Sequence, residues 1–403
     1  MSFIKRTQSF FAKPKARLAG LWTAYFLFWG AIATFIPYVS LYYETVGLGG
    51  TQIGAINSVR ALVSFISAIA IAFLSDVLRR RKLVFIVCVL GMIITLAIFP
   101  FMASFITILP IMALYSAFQT PNIAILDQET LSILEDPKNY SKVRVGGSYG
   151  IGIITLAAGL LIDLPGISLS FIFVLHILLM LALLVLVLLL PDSEADTAGG
   201  DSPSVKDLRA LFRIPGFALW LGMILLYGIG DASVINFLFL HVRAIGGSAS
   251  LMGLMTAFSI AGQIIAFAVA RRIKSRIGSR RIMIISFVLR TIWFVLIGIN
   301  TNPLLVLPIH ILSGASFAFI DAGSVAYINE RVPGRIGTTA QALRSAILIR
   351  LSAALGSLVV GALFQRFGSG NMYLIMAVFS AVSMILAFIL RQHEHRRETA
   401  ASE

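Results

Sequence analysis

Eight ionisable residues sit inside long apolar stretches of this sequence: Arg60, Asp127, Glu129, Asp231, Arg290, Asp321, Arg344 and Arg350. An ionised side chain at the centre of a bilayer-spanning helix costs about 2.5 to 3.5 kcal/mol on insertion scales, so such groups face water or each other. Four acids against four cations favours internal pairing. The chemistry open to them is proton uptake and release. A carboxylate that loses its hydration favours its protonated form, and an approaching cation reverses that preference. Asp231 and Asp321 are therefore candidate proton carriers, with Arg290 and His310 as coupled partners. Arg60, Asp127 and Arg344 are candidates for holding a polar solute, as is Tyr227, one helical turn before Asp231.

Helical spacing sorts these groups onto faces. Asn57, Arg60, Ser64 and Ser67 fall on one stripe, as do His310, Gly314, Phe317 and Asp321, with His310 nearer the outer end. Arg344 shares a face with Gln341. Asp127 and Glu129, two apart, lie on nearly opposite sides of their helix, and Asp127 is taken as the cavity-facing acid. Bland readings stand beside these: Arg60, Asp231 and Asp321 as structural ion pairs, His310 as a hydrogen-bonded interfacial residue, and Arg290 as the partner of a seventh- or tenth-span acid. His176 is read as structural. No phosphate-binding loop, nucleophile elbow or metal-ligand cluster appears, so neither enzyme activity nor a cofactor or metal is expected. Cys88 is the single cysteine, which leaves no disulfide framework.

The elements that must position these residues are membrane helices. A 403-residue chain that is 58% hydrophobic, with mean hydropathy +0.94, carries more apolar surface than a soluble core can hide. Runs of about 20 apolar residues imply spanning helices rather than barrel strands. Twelve spans are predicted, at 19–44, 52–75, 83–99, 104–133, 143–163, 168–190, 214–240, 250–271, 281–299, 303–330, 336–365 and 370–391. The fold class is all-α, with two pseudo-symmetric bundles: six helices within 1–190, a flexible linker at 191–213, six helices within 214–391, and a tail at 392–403. The basic start before the first run resembles a signal peptide, but the run is too long and is read as a retained helix.

Net charge is +14, and 26 of 32 Lys and Arg lie at the N-terminus, around the ends of even-numbered spans or beyond the last. By the positive-inside rule both termini and the linker are cytoplasmic, in a cell membrane. The basic loops then meet anionic lipid, and nucleic acid is not an expected partner.

The halves echo each other: Gly54 and Gly253 open spans two and eight, and Asp76 and Ser275 follow each by 22 residues. "AFLSDVLRRRK", residues 72–82, resembles the cytoplasmic gating motif of the major facilitator superfamily, with Asp76 at the acid and Arg80 and Arg81 at the closing cations. Arg79 replaces a usual glycine and Val77 a usual cation. The resemblance extends to the oligosaccharide:proton symporters of the lactose permease type and to the phenylpropionate permease-like branch. "YSKVRVGGSYGIG" is similar to the fifth-helix entrance of that group, which implies that Arg144 and Ser148 face the solute. "DASVINF" and "GALFQRFGSGNMYLI" fit the seventh and eleventh to twelfth helices. At the group's tenth-helix Lys, His and Glu this chain has His310, Ser313 and Ser316, so the usual proton acid is missing. The resemblance implies a monomeric secondary transporter that moves a small polar organic molecule with protons by alternating access. Sugars or glycosides lead, followed by uptake of aromatic or other organic acids, or proton-driven export of drugs or metabolites.

Overall fold

The computed structural model describes residues 14–78, 80–134, 140–190 and 205–402, apart from the side chains at 14, 69, 72–78, 132–133, 205–207, 274–275 and 390–402. Among the described residues there is no strand. The first span is α1 (Pro14–Phe35) and α2 (Val39–Thr45), interrupted at Pro37, which has no N–H to continue a helix ladder. Then follow α3 (Gly50–Leu78), α4 (Arg81–Ile98), α5 (Phe105–Ile133), α6 (Tyr140–Ile162) and α7 (Phe171–Leu189). The second half has α8 (Val205–Leu211), α9 (Phe217–Ala244), α10 (Ala249–Ile299), α11 (Val306–Arg331), α12 (Gly334–Ser345), a π-helical turn (Ala346–Leu351) and α13 (Ser352–Ser402). Part of the expected linker is thus a short helix, α8.

Helices α10 and α13 each run to 51 residues. At 1.5 Å per residue that is about 76 Å, over twice a bilayer's hydrocarbon thickness. Each is two spans separated by one glycine, Gly278 (φ 76°) or Gly368 (φ 77°), in a conformation that a Cβ strains. Ten described segments are long and apolar enough to cross a membrane, and the last of them, Gly334–Ile389, is 56 residues long and holds two spans. With α3, 29 residues long, the total is the expected twelve.

The surface pattern suits lipid. On α7 the exposed Val174, Leu178, Leu181, Val185 and Leu188 form one apolar stripe, while Phe173, His176, Met180 and Leu183 are buried. His176 Nδ1 lies 2.7 Å from the Ala31 carbonyl, and His176 and Cys88 are both buried.

The chain forms two compact units. One comprises 1–48, 59–199 and 248–254, the other 49–58, 200–247 and 255–403. They follow the chain halves except for those two short exchanges. In the first unit α1 packs on α6 at a glycine face: a Cβ on Gly146 would fall 2.5 Å from the Trp22 carbonyl oxygen. The same unit holds Asp163, whose Oδ1 and Oδ2 accept from the backbone N–H groups of Ala249 (3.0 Å) and Ser250 (2.8 Å) at the start of α10. In the second unit α9 packs on α13, and a Cβ on Gly356 would meet the Ile229 carbonyl oxygen at 2.7 Å. The Gly50 N–H donates to Gln365 Oε1 at 2.5 Å.

Candidate functional site

In the second unit the guanidinium of Arg290, on the second span of α10, is the most enclosed charge among the described residues, with a side-chain exposure of 1%. Its Nη2 stands 2.9 Å from Asp231 Oδ1 on α9. Its Nε donates to the Tyr227 hydroxyl at 3.1 Å, with Nη2 donating there as well, and Nη1 donates to Ser313 Oγ at 2.9 Å. The rings of Tyr227, Trp293 and Phe294 surround it at 4.9, 5.6 and 5.9 Å. Ser316 lies 3.0 Å from the Tyr227 hydroxyl and donates to the Ser286 carbonyl at 2.9 Å. Two serines therefore stand where the resembled symporters carry ionisable groups: Ser313 accepts from Arg290, and Ser316 holds the Tyr227 hydroxyl that accepts from the same guanidinium. His310 departs from the interfacial reading: it is buried at 5% exposure against Trp293, within electrostatic reach of Arg290, and its Nδ1 has no partner among the described residues.

Asp321, on α11, pairs instead with Arg344, Nη1 to Oδ1 at 2.6 Å. Arg344 Nε also donates to Gln341 Oε1 at 3.0 Å, across one turn of α12. The pair is asymmetric: Arg344 is 12% exposed and Asp321 33%. The π-helical turn begins two residues after Arg344, and such turns are rare and frequent at functional sites.

In the first unit Asp127, on α5, accepts from the Tyr25 hydroxyl of α1 at 2.6 Å. Arg144, on α6, approaches Asp127 only to 4.0 Å and donates to the Tyr140 hydroxyl at 3.0 Å. This is a loose pair with side-chain exposures of 49% and 26% for Arg144 and Asp127. Ser148 lies one turn from Arg144 and is exposed. Arg60, on α3, stands apart from these and faces two buried phenols, Tyr43 and Tyr115, as its electrostatic neighbours. Neither hydroxyl has a hydrogen-bond partner among the described residues. Ser64 and Ser67 on its stripe are buried as well.

Of the gating motif, the Asp76 side chain lies outside the described residues, Arg80 is exposed just before α4, and Arg81 is half-buried. Lys82 makes the contact that the motif reading did not single out: its Nζ donates to the Leu190 carbonyl at the end of α7, 2.6 Å away. No sequence pattern points to the Asp163 cap or to the phenols at Arg60. "GLLID" ends the fifth span with its acid in view, but nothing local links it to residues some 86 positions on.

Maltose permease of Geobacillus stearothermophilus is 25% identical over 379 residues, covering 92% of this chain and 93% of that protein. An Escherichia coli K12 protein named "Probable 3-phenylpropionic acid transporter" is 23% identical over 375 residues, covering 90% of this chain and 95% of its own length. Among solved structures, the nucleoside transporter NupG superposes with a TM-score of 0.83 at 18% identity, over 93% of this chain and 98% of that one. A bacterial homologue of the human lysosomal transporter Spinster, in an inward-facing unoccupied conformation, gives 0.76 at 15%, over 94% and 97%. The MFS_1-like family matches residues 18–375, and the chain belongs to it, as a multi-pass membrane transporter of the permease type and not an enzyme.

Proposed function

We propose that the protein is a proton-coupled symporter for a small polar organic solute, with sugars and glycosides foremost, in a cell membrane with both termini cytoplasmic. The observation that carries the coupling is the Asp321–Arg344 pair: a 2.6 Å ion pair inside the spans whose acid is one-third exposed while its cation is mostly enclosed. A proton carrier must reach water and must also have a cation to exchange with. When Asp321 takes up a proton the pair is lost, and Arg344 retains Gln341 as a partner. Asp231 serves instead as the fixed counter-charge of Arg290, which four further hydrogen bonds and three aromatic rings hold in place.

The loose Asp127–Arg144 pair supports the solute class. A carboxylate is an acceptor and a guanidinium a donor, and a hydroxyl can satisfy both at once. Two such groups 4.0 Å apart, each partly open, suit neighbouring hydroxyls of a sugar, while Asp127 would repel an anionic solute. The relative named maltose permease agrees with this choice. One observation favours a second reading, uptake of an organic acid: Arg60 lies near Tyr43 and Tyr115, whose hydroxyls have no hydrogen-bond partner among the described residues, so a cation and two donors meet where a carboxylate would suit them.

The test is solute-driven proton movement in liposomes holding the purified protein. Added maltose is expected to make a weakly buffered exterior more alkaline as protons enter with solute. If 3-phenylpropionate does so and maltose does not, the second reading stands. Solute entry with no pH change for either would sink the coupling.

A further inference from the structure

Two phenols flank the loose Asp127–Arg144 pair of the first unit. The Tyr25 hydroxyl, on α1 and fully buried, donates to Asp127 Oδ1 at 2.6 Å. The Tyr140 hydroxyl, one turn before Arg144 on α6, accepts from Arg144 Nη1 at 3.0 Å, and its ring lies 5.7 Å from the guanidinium carbon. Each charged group is thus tied on its own side. What faces across the gap is the remaining N–H of Nη1 and the other carboxylate oxygen, Oδ2, with 4.0 Å between nitrogen and oxygen. That is about 1 Å longer than an N–H···O hydrogen bond. Glycines seat α1 on α6, Gly146 against the Trp22 carbonyl and Gly150 against the Phe26 carbonyl, and this close contact fixes the distance between the helices that carry Tyr25 and Arg144.

We infer that Tyr25 and Tyr140 are positioning residues of the solute site: they hold Asp127 and Arg144 apart by the width of one hydroxyl, and so keep acceptor and donor open to an uncharged polyol. The inference rests on the sugar reading proposed above. An oxygen at ordinary hydrogen-bond distances, about 2.9 Å from the nitrogen and about 2.7 Å from the carboxylate oxygen, subtends about 90° across this gap, so one hydroxyl fits there as acceptor and donor together. A closed ion pair, its two atoms about 2.8 Å apart, leaves no such place. A solute carboxylate can accept from Arg144 but has no proton to give Asp127, so the same geometry selects against an acid. Each phenol acts through the group it holds.

The test is exchange of labelled maltose across liposomes holding the purified protein, compared with Tyr25→Phe, Tyr140→Phe and the double variant. Either single change frees one side and lets the pair close. Each should raise the half-saturation concentration about ten-fold, the worth of one hydrogen bond to a charged group, and by more than it lowers the maximal rate. Because one freed side is enough, the double variant should lose little more than a single one, not the roughly hundred-fold of two independent sites. Unchanged half-saturation, or losses that multiply, would overturn the inference. A second measurement needs no solute. Arg144→Gln should shift the melting temperature by less than about one degree in the parent, and lower it by about two degrees in the Tyr25→Phe background, where the pair has closed. Equal shifts in the two backgrounds would refute the positioning role whatever the solute. If the parent exchanges no maltose while the melting shifts differ as stated, the sugar reading fails and the role of the phenols stands.

Discussion

Arg290 shows how a full charge is made tolerable at bilayer depth: its donors reach Asp231, Tyr227 and Ser313, and three ring faces line its plane. Removing one member of a buried pair strands the other, and the usual cost is about 3 to 5 kcal/mol. Asp231→Asn strands Arg290 at 1% exposure and should therefore lower the stability of the purified protein by about that amount, while Asp321→Asn strands Arg344, which is 12% exposed and keeps Gln341, and should cost less. Equal melting temperatures for the two variants would contradict the assignment of Asp231 as the fixed counter-charge. The sequence discloses which residues need partners, because a charge in an apolar run announces its own cost. It does not disclose the pairing. Asp231 and Arg290 are 59 positions apart, Asp321 and Arg344 are 23 apart, and only the packing of different helices brings each together. Ser313 and Ser316 stand out only because the resemblance places them at ionisable positions, and Ser286 is less visible still, since serines are common on helix–helix contacts and carry no charge to mark them.

At the scale of elements, apolar run length located every span, and the long α10 and α13 hide their breaks at single glycines that local composition only hints at. The π-helical turn after Arg344 leaves no readable trace, because "AILIRL" reads as ordinary apolar helix. The Asp163 cap belongs to this scale too. Burial alone would raise the pKa of this carboxyl, but hydrogen bonds from Ser250, Ala249 and Ser248 outweigh that and hold it below the usual value. A group with a lowered folded pKa contributes stability above its unfolded pKa, about 3.9, and loses it as pH falls through the folded value. Asp163→Ala should thus destabilise the protein by about 1 kcal/mol near pH 6, and the gap between variant and parent should close below about pH 3. Melting curves across that range check the sign. A gap that persists or widens at low pH would contradict the cap.

At the scale of the whole chain, a fold shared with NupG at 18% identity shows how little of the sequence the architecture demands. Hydropathy, the bias of 26 of 32 basic residues to one set of loops and the echo between halves were enough to read that architecture. The site is where this chain departs from the symporters it resembles: the tenth-span acid is replaced by Ser316, and Asp321 stands a little over one turn further along α11. If Asp321 carries the proton, the chain has kept the coupling chemistry while moving its acid. The most direct measurement compares Asp321→Asn with the parent protein in liposomes, using a solute that the parent transports. The variant should exchange labelled solute across the membrane at near the parent rate yet fail to accumulate it under an inward proton gradient. An Asp321→Asn protein that still concentrates solute would contradict the account.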